Sequence, residues 1–195
     1  VSLINIATDK DKPHSVYMNQ GKSPSESMAI MTEIVLPNDT NALHNLRGGK
    51  ILHWMDIACA IAAGRHANAI VVTASVDNVS WENPIKLGDV LVIHGKVTRT
   101  FNTSMEVHAE VWAENLPSQT RYKCNEAHYT FVALDSNGKP KKVTPLVPET
   151  DEEKKQYELA MRRRELRLVL AGRMKASDAK ELKAMFFEEN NAAAL

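Results

Sequence analysis

The stretch "ILHWMDIACAIAAG" at residues 51–64 constrains the fold of this chain more than any other. Between Lys50 and Arg65 only Asp56 carries a full charge at neutral pH. Gly48 and Gly49 open the segment, and its Ile, Leu, Met and Ala residues predict one long helix that stops near residues 64–68. A helix that is apolar nearly all round must be covered on most sides. The rest of the chain has to supply that cover.

Strand-like segments surround it. "ESMAIMTEIVL" at 26–36 mixes apolar and polar positions in a β pattern, and "PNDTN" at 37–41 ends the run with turn residues. After the helix come "AIVVTASVDNVSW" at 69–81, "DVLVIHGKVTRTF" at 89–101, "SMEVHAEVWAE" at 104–114 and "YKCNEAHYTFVAL" at 122–134. The separators "NPIKLGD", "NT" and "NLPSQT" each read as a hairpin or short loop, so the sheet is expected to be antiparallel. The order β-α-β-β-β-β predicts an α+β fold, an antiparallel sheet wrapped around a long central helix.

Composition shifts beyond residue 148. Residues 1–148 read as a single domain, and residues 149–195 as a charged helical extension of two helices broken near Gly172, with Ser177 as N-cap of the second. Its basic "MRRRELR" reads as a solvated helix face, because acids at 149–158 offset it. Lys plus Arg and Asp plus Glu both number 24, which argues against nucleic acid as a partner. No apolar run reaches the roughly 18 residues of a membrane span. The first fifteen residues show neither a basic n-region nor an apolar h-region, and Cys59 and Cys124 lack redox or metal spacing, so a reduced cytoplasmic setting is expected. Seven scattered histidines form no H-x-x-x-H pair or Cys/His cluster, and no metal site is expected. His94, His108 and His128 read as the solvent-facing side of strand alternation.

Asp56 shares its helix face with Leu52, His53, Cys59 and Ala60, none of them a cation at neutral pH. A carboxylate buried there without a partner costs several kcal/mol. Its proton affinity must rise, or polar groups must reach it from elsewhere, and either outcome suits a general base or nucleophile. An ordinary acid on an exposed strip is the alternative. The small residues of "ACAIAAG" let another backbone approach, either the wrapping sheet or a second copy of the helix. Upstream, the Gly48-Gly49 pair leaves first-turn N–H groups free to hold an oxyanion, a service worth roughly 2.7 to 4 kcal/mol per donor in acyl transfer. The same glycines could instead serve turn geometry alone.

Taken together, "HNLRGGKILHWMDIACAIAAGRHA" resembles the hotdog-fold acyl-CoA thioesterases, in the branch of the cytosolic long-chain acyl-CoA hydrolases and their small bacterial relatives. "VTASVDNVSWENPIKLGDVLVIHGKV", "NTSMEVHAEVWAE" and "AHYTFVALDSNGKP" extend the likeness over roughly residues 25–145. Ser80, Trp81 and Asn102 depart from the family pattern. The resemblance implies hydrolysis of acyl-CoA to free acid and CoA, with Asp56 as general base or nucleophile, Gly48 and Gly49 as oxyanion donors and Asn45 as a positioning group. It also implies that these groups meet across a dimer interface, and that dimers assemble into a hexamer. Thr103 and Ser104 match hydroxyls near the pantetheine arm. Arg65, Arg99 and the "KPKK" of 139–142 are candidates for the CoA phosphates by charge, and Met55 for the acyl path. Coenzyme A enters as part of the substrate, and no separate cofactor is expected. Two other readings are a non-catalytic acyl-CoA sensor and a hydratase using a His53–Asp56 dyad, although the hydratase signature Asp-x-Asn-Pro-x-His is absent.

Overall fold

A computed structural model describes residues 21–185. Residues 1–20 and 186–195, the latter part of the expected second tail helix, lie outside the described residues. The chain runs α1 (Pro24–Ser27), β1 (Ala29–Ile34), α2 (Gly48–Ala67), β2 (Ile70–Trp81), β3 (Val90–Thr100), β4 (Ser104–Asn115), β5 (Thr120–Leu134) and α3 (Asp151–Leu170). All five strands form one antiparallel sheet in the order β1-β3-β4-β5-β2, wrapped around α2. This is the hotdog architecture, with helices following the sheet.

Helix α2 buries Ile51, Trp54, Met55, Ala58, Cys59, Ala62 and Ala63 against the sheet, the three-and-four spacing of a core stripe. Its small residues have a clear purpose. A Cβ on Gly95 of β3 would stand 2.9 Å from the Ala58 carbonyl oxygen, so helix and sheet touch backbone to backbone there. The helix ends at Asn68, in the left-handed region at φ 46°. There the Lys22 ammonium donates to the carbonyls of Arg65 and His66 and to the Asn68 side chain, neutralising the negative end of the helix.

Tertiary context changes several sequence expectations. The first segment does not begin as strand: Ser23 and Glu26 form a capping box that starts α1, and β1 starts only at Ala29. The "NPIKLGD" link is no hairpin, because β2 lies at one edge of the sheet while β3 pairs with β1 and β4. β2 pairs with β5 instead, and a strand carries no local mark of its partner. Ser177 does not cap the second tail helix. It sits in a 3-10 turn, Ala176–Asp178, with its hydroxyl bonded to Asp178, while Glu165 accepts the Leu182 N–H where the chain is helical again from residue 180.

Nor is "MRRRELR" simply a solvated face. Helix α3 lies on the outer surface of the sheet, where Arg163 forks onto Glu106 and Arg167 meets Asp77. Lys96 pairs with Glu153, and Arg99 stacks on the Tyr157 ring. Although burial opposes it, the Lys96 ammonium and the N–H groups of Thr150 and Glu149 hold the Glu153 carboxyl down to about 2. The same helix helps to bury this end of the sheet, so His128 is 8% exposed rather than solvent-facing, and its ring stacks on His108. Burial, with the charges of Arg163 and His108 nearby, pushes His128 down to about 2. No described helix is long and apolar enough to cross a membrane.

Candidate active site

Asp56 lies midway along α2, half-buried, where the helix leaves the cover of the sheet. Its partner comes from β2. The Thr73 hydroxyl donates to Asp56 Oδ1 at 2.7 Å. A β-bulge sets this up: Thr73 pairs with Phe131 and Ser75 with Thr130, leaving Ala74 as an extra residue beside the contact. Beneath the acid, the buried Tyr129 hydroxyl donates to the Leu52 carbonyl, the carbonyl one turn before Asp56. His53 is exposed, and among the described residues Asp56 has no recorded bond to it. Burial, reinforced by the Asp56 charge, drives the Cys59 thiol upward, which makes it a poor nucleophile.

The helix N-terminus carries the other residues expected at the site. Lys50 and Ile51 donate to the Arg47 carbonyl, whereas the N–H groups of Gly48 and Gly49 have no acceptor among the described residues. A Cβ on Gly48 would stand 2.9 Å from the rim of the Trp81 indole, so a side chain there would push the ring aside. Around Gly49 nothing lies within 4 Å of such a Cβ. The preceding loop is held by Asn41, whose side chain accepts the N–H groups of Leu43 and Asn45. Asn45 is half-buried and bonds through its backbone to Asn41. Gly49 and Asp56 are seven residues apart, about 10 Å along the helix axis, so one carbonyl group cannot touch both within a single helix.

Thr103 and Ser104 turn the β3–β4 hairpin, two strands across the sheet from Asp56. Ser104 pairs with Val132, and Met105 pairs with Phe131, which pairs with Thr73. That is roughly 10 Å at ordinary strand spacing. The other candidates are engaged elsewhere. Arg65 donates to the Met28 carbonyl, and Arg99 donates to the Tyr157 carbonyl while stacked 4.1 Å above that ring. Met55 is fully buried in the core. In "KPKK", Lys139 and Lys142 are exposed, and the turn is tied by Asp135.

Comparison with known proteins agrees with this architecture. The thioesterase superfamily profile matches residues 43–118. An uncharacterized acyl-CoA thioester hydrolase of Bacillus subtilis is 41% identical over 138 residues, covering 71% of this chain and 80% of its own length. The chain belongs to the hotdog acyl-CoA thioesterase family. Within that family, an apo-hexameric acyl-CoA thioesterase is 44% identical and superposes with a TM-score of 0.74, covering 76% of this chain and 96% of its own. The Staphylococcus aureus acyl-CoA hydrolase, solved with butyryl coenzyme A and coenzyme A, is 36% identical at a TM-score of 0.71 and covers 88% of this chain and 98% of its own. Such coverage exceeds residues 1–148, so this relative shares part of the tail. The chain spans only 25% and 36% of two mouse relatives, acyl-coenzyme A thioesterase 11 and the cytosolic acyl coenzyme A thioester hydrolase.

The sequence marks Asp56 and the glycines but neither the Thr73 contact to the acid nor the hold of Asn41 on the loop before the helix. Thr73 is one polar residue in an alternating strand, and nothing local marks it as the one facing the acid. Asn41 had a signal in the turn residues "PNDTN", which also suits a loop with no further task.

Proposed function

We propose that the chain hydrolyses acyl-CoA thioesters to a free carboxylic acid and CoA. The observation that carries this reading is the Asp56–Thr73 pair combined with its spacing. In the Staphylococcus aureus hydrolase, variants were made at an Asp, at an Asn fifteen positions before it and at a Thr seventeen positions after it. Counted from Asp56, those intervals fall on Asn41 and Thr73 in this chain. Asn41 thereby takes the positioning role that the resemblance assigned to Asn45, four residues later.

In this mechanism Asp56 takes a proton from a water as the water oxygen bonds to the thioester carbonyl carbon. Thr73 holds the carboxylate in place for that transfer. General base action of this kind is typically worth about 10² to 10⁴ in rate. The N–H groups at Gly48 and Gly49 meet the oxyanion of the tetrahedral intermediate, at the positive end of α2. Collapse breaks the C–S bond, and the departing CoA thiolate takes up a proton. Coenzyme A enters with the substrate, and the residues named need no further cofactor.

The distance between acid and amides supports a dimer as the active unit. In such a dimer, a two-fold axis near residues 52 and 53 of α2 would set Asp56 of one subunit opposite the Gly48 and Gly49 of its partner. The surface there suits a second copy. Ile57 and Ile61 of α2 are exposed beside Ile70, Val72 and Val76 of β2, and β2 is a twelve-residue edge strand with an unpaired side. Hexameric forms among the similar thioesterases support a trimer of dimers, and the cytosolic mouse hydrolase supports a cytoplasmic setting.

The test is release of free thiol from acyl-CoA substrates of increasing chain length. The parent protein is expected to hydrolyse at least part of the series, and Asp56→Asn to release no thiol while eluting as the same oligomer. Parent rates equal to the buffer blank throughout, with CoA esters still bound, would make the chain a sensor rather than a hydrolase.

A further inference from the structure

The outer face of the sheet holds a second constellation, unrelated to Asp56. Strand alternation sets His108 and Glu110 on one face of β4, and the register places His128 and Glu126 of β5 directly opposite them. One ligand atom from each of His108, Glu110 and Glu126 lies within 4.8 Å of the others, with His108 Nε2 3.6 Å from Glu126 Oε2. A four-coordinate ion with bonds of about 2.1 Å needs ligand atoms about 3.4 Å apart, so shifts of roughly an ångström or less close the set. Among the described residues this is the one group of side chains so arranged.

Separate observations point to a ligand there. His128 is more than nine-tenths buried, its ring lies 4.7 Å from that of His108, and neither of its nitrogens has a hydrogen-bond partner among the described residues. Buried polar rings are rarely left so. A cavity of about 200 Å³ opens against His108 and Glu110, lined also by Lys96, Glu152, Glu153 and Gln156. It offers a route from solvent and room for water ligands. The carboxylates already hold one cation, since the Lys123 ammonium lies 2.6 Å from Glu126 and 3.3 Å from Glu110.

We propose that His108, Glu110 and Glu126 bind a divalent transition-metal ion in competition with the Lys123 ammonium, with the His128 ring stacked behind His108. Mixed imidazole and carboxylate ligands suit Zn²⁺, Co²⁺ or Mn²⁺ better than Mg²⁺ or Ca²⁺. The site lies across the sheet from Asp56 and does no chemistry on the thioester. It ties β4 to β5 beneath α3, so the ion stabilises the fold.

The full chain, stripped with chelator, is titrated with ZnCl₂ by calorimetry, with CoCl₂ by visible absorption and with MgCl₂ as control, and its Tm is followed. One Zn²⁺ per chain is expected, with a Tm rise of several degrees that MgCl₂ does not reproduce. His108→Gln and Glu126→Gln lose that equivalent while circular dichroism stays unchanged. Removing the competing charge in Lys123→Met tightens Zn²⁺ binding by about tenfold. Should the first two variants fail to fold, Lys123→Met decides: an affinity equal to the parent's overturns the proposal. Absence of stoichiometric binding in both the parent and Lys123→Met, or binding retained in both His108→Gln and Glu126→Gln, also overturns it.

Discussion

Thr73 shows how one hydroxyl turns a half-buried acid into an oriented one. A hydrogen bond to a charged group contributes about 1.5 to 3 kcal/mol, against about 1 for a neutral one. If that bond positions Asp56 for proton transfer, Thr73→Val should lower kcat by about 10- to 100-fold with little change in KM, since 1.36 kcal/mol is a factor of ten in rate. Steady-state thiol-release kinetics check this, and an unchanged kcat would remove Thr73 from the mechanism. Gly48 and Gly49 look alike in the sequence, yet only Gly48 is explained by packing within the chain, under Trp81. The open space around Gly49 suits the approach of a substrate or a second subunit. Asp56 itself was legible as an anomaly, one charge in an apolar helix. Its partner was not, because the contact joins residues seventeen apart through a bulge that strand alternation does not announce.

Among the elements, α2 was readable nearly to its ends because its glycine start, apolar stripe and Asn68 stop are all local signals. Helix α3 was readable as a helix but not as a cover for the sheet. Its arginines look solvated in one dimension and are partly buried in three. Glu106, 1% exposed, depends on the fork from Arg163 and the hydroxyl of Thr98. Arg163→Ala should therefore cost about 3 to 5 kcal/mol, the usual effect of leaving a buried carboxylate unpaired. Denaturant unfolding measures it. An Arg163→Met, Glu106→Gln double variant should lose less than Arg163→Ala alone, because no lone charge remains in the interface.

For the whole molecule, acid should loosen the joint where α1, the C-terminal end of α2 and the segment before α3 converge. His66 is fully buried there, with Nδ1 against the Ser27 hydroxyl and Nε2 against the Thr144 carbonyl. Burial lowers its pKa from 6.5 despite the Thr144 carbonyl, and the Lys22 charge adds to the effect. A lowered histidine pKa means that the unfolded chain takes up the proton first. The stabilisation is therefore complete above pH 6.5 and lost as pH falls below it, by up to about 1.36 kcal/mol per pH unit. His66→Gln should flatten that slope between pH 6.5 and 5 in denaturant titrations, and an unchanged slope would place the acid sensitivity elsewhere.

By itself the sequence determined the central helix, the four strands after it and the isolated acid that stands out on that helix. Periods of 3.6 and 2, glycines at a helix start and an isolated acid are local properties, fixed by backbone sterics and the cost of burying charge. Tertiary structure alone decided which strand lies beside which, that Thr73 reaches Asp56, that α3 covers the sheet and that His108 and His128 share a face. Each of these depends on contacts between residues far apart in the chain. Their formation rests on apolar area and hydrogen bonds summed over the whole fold, and no single segment carries that sum.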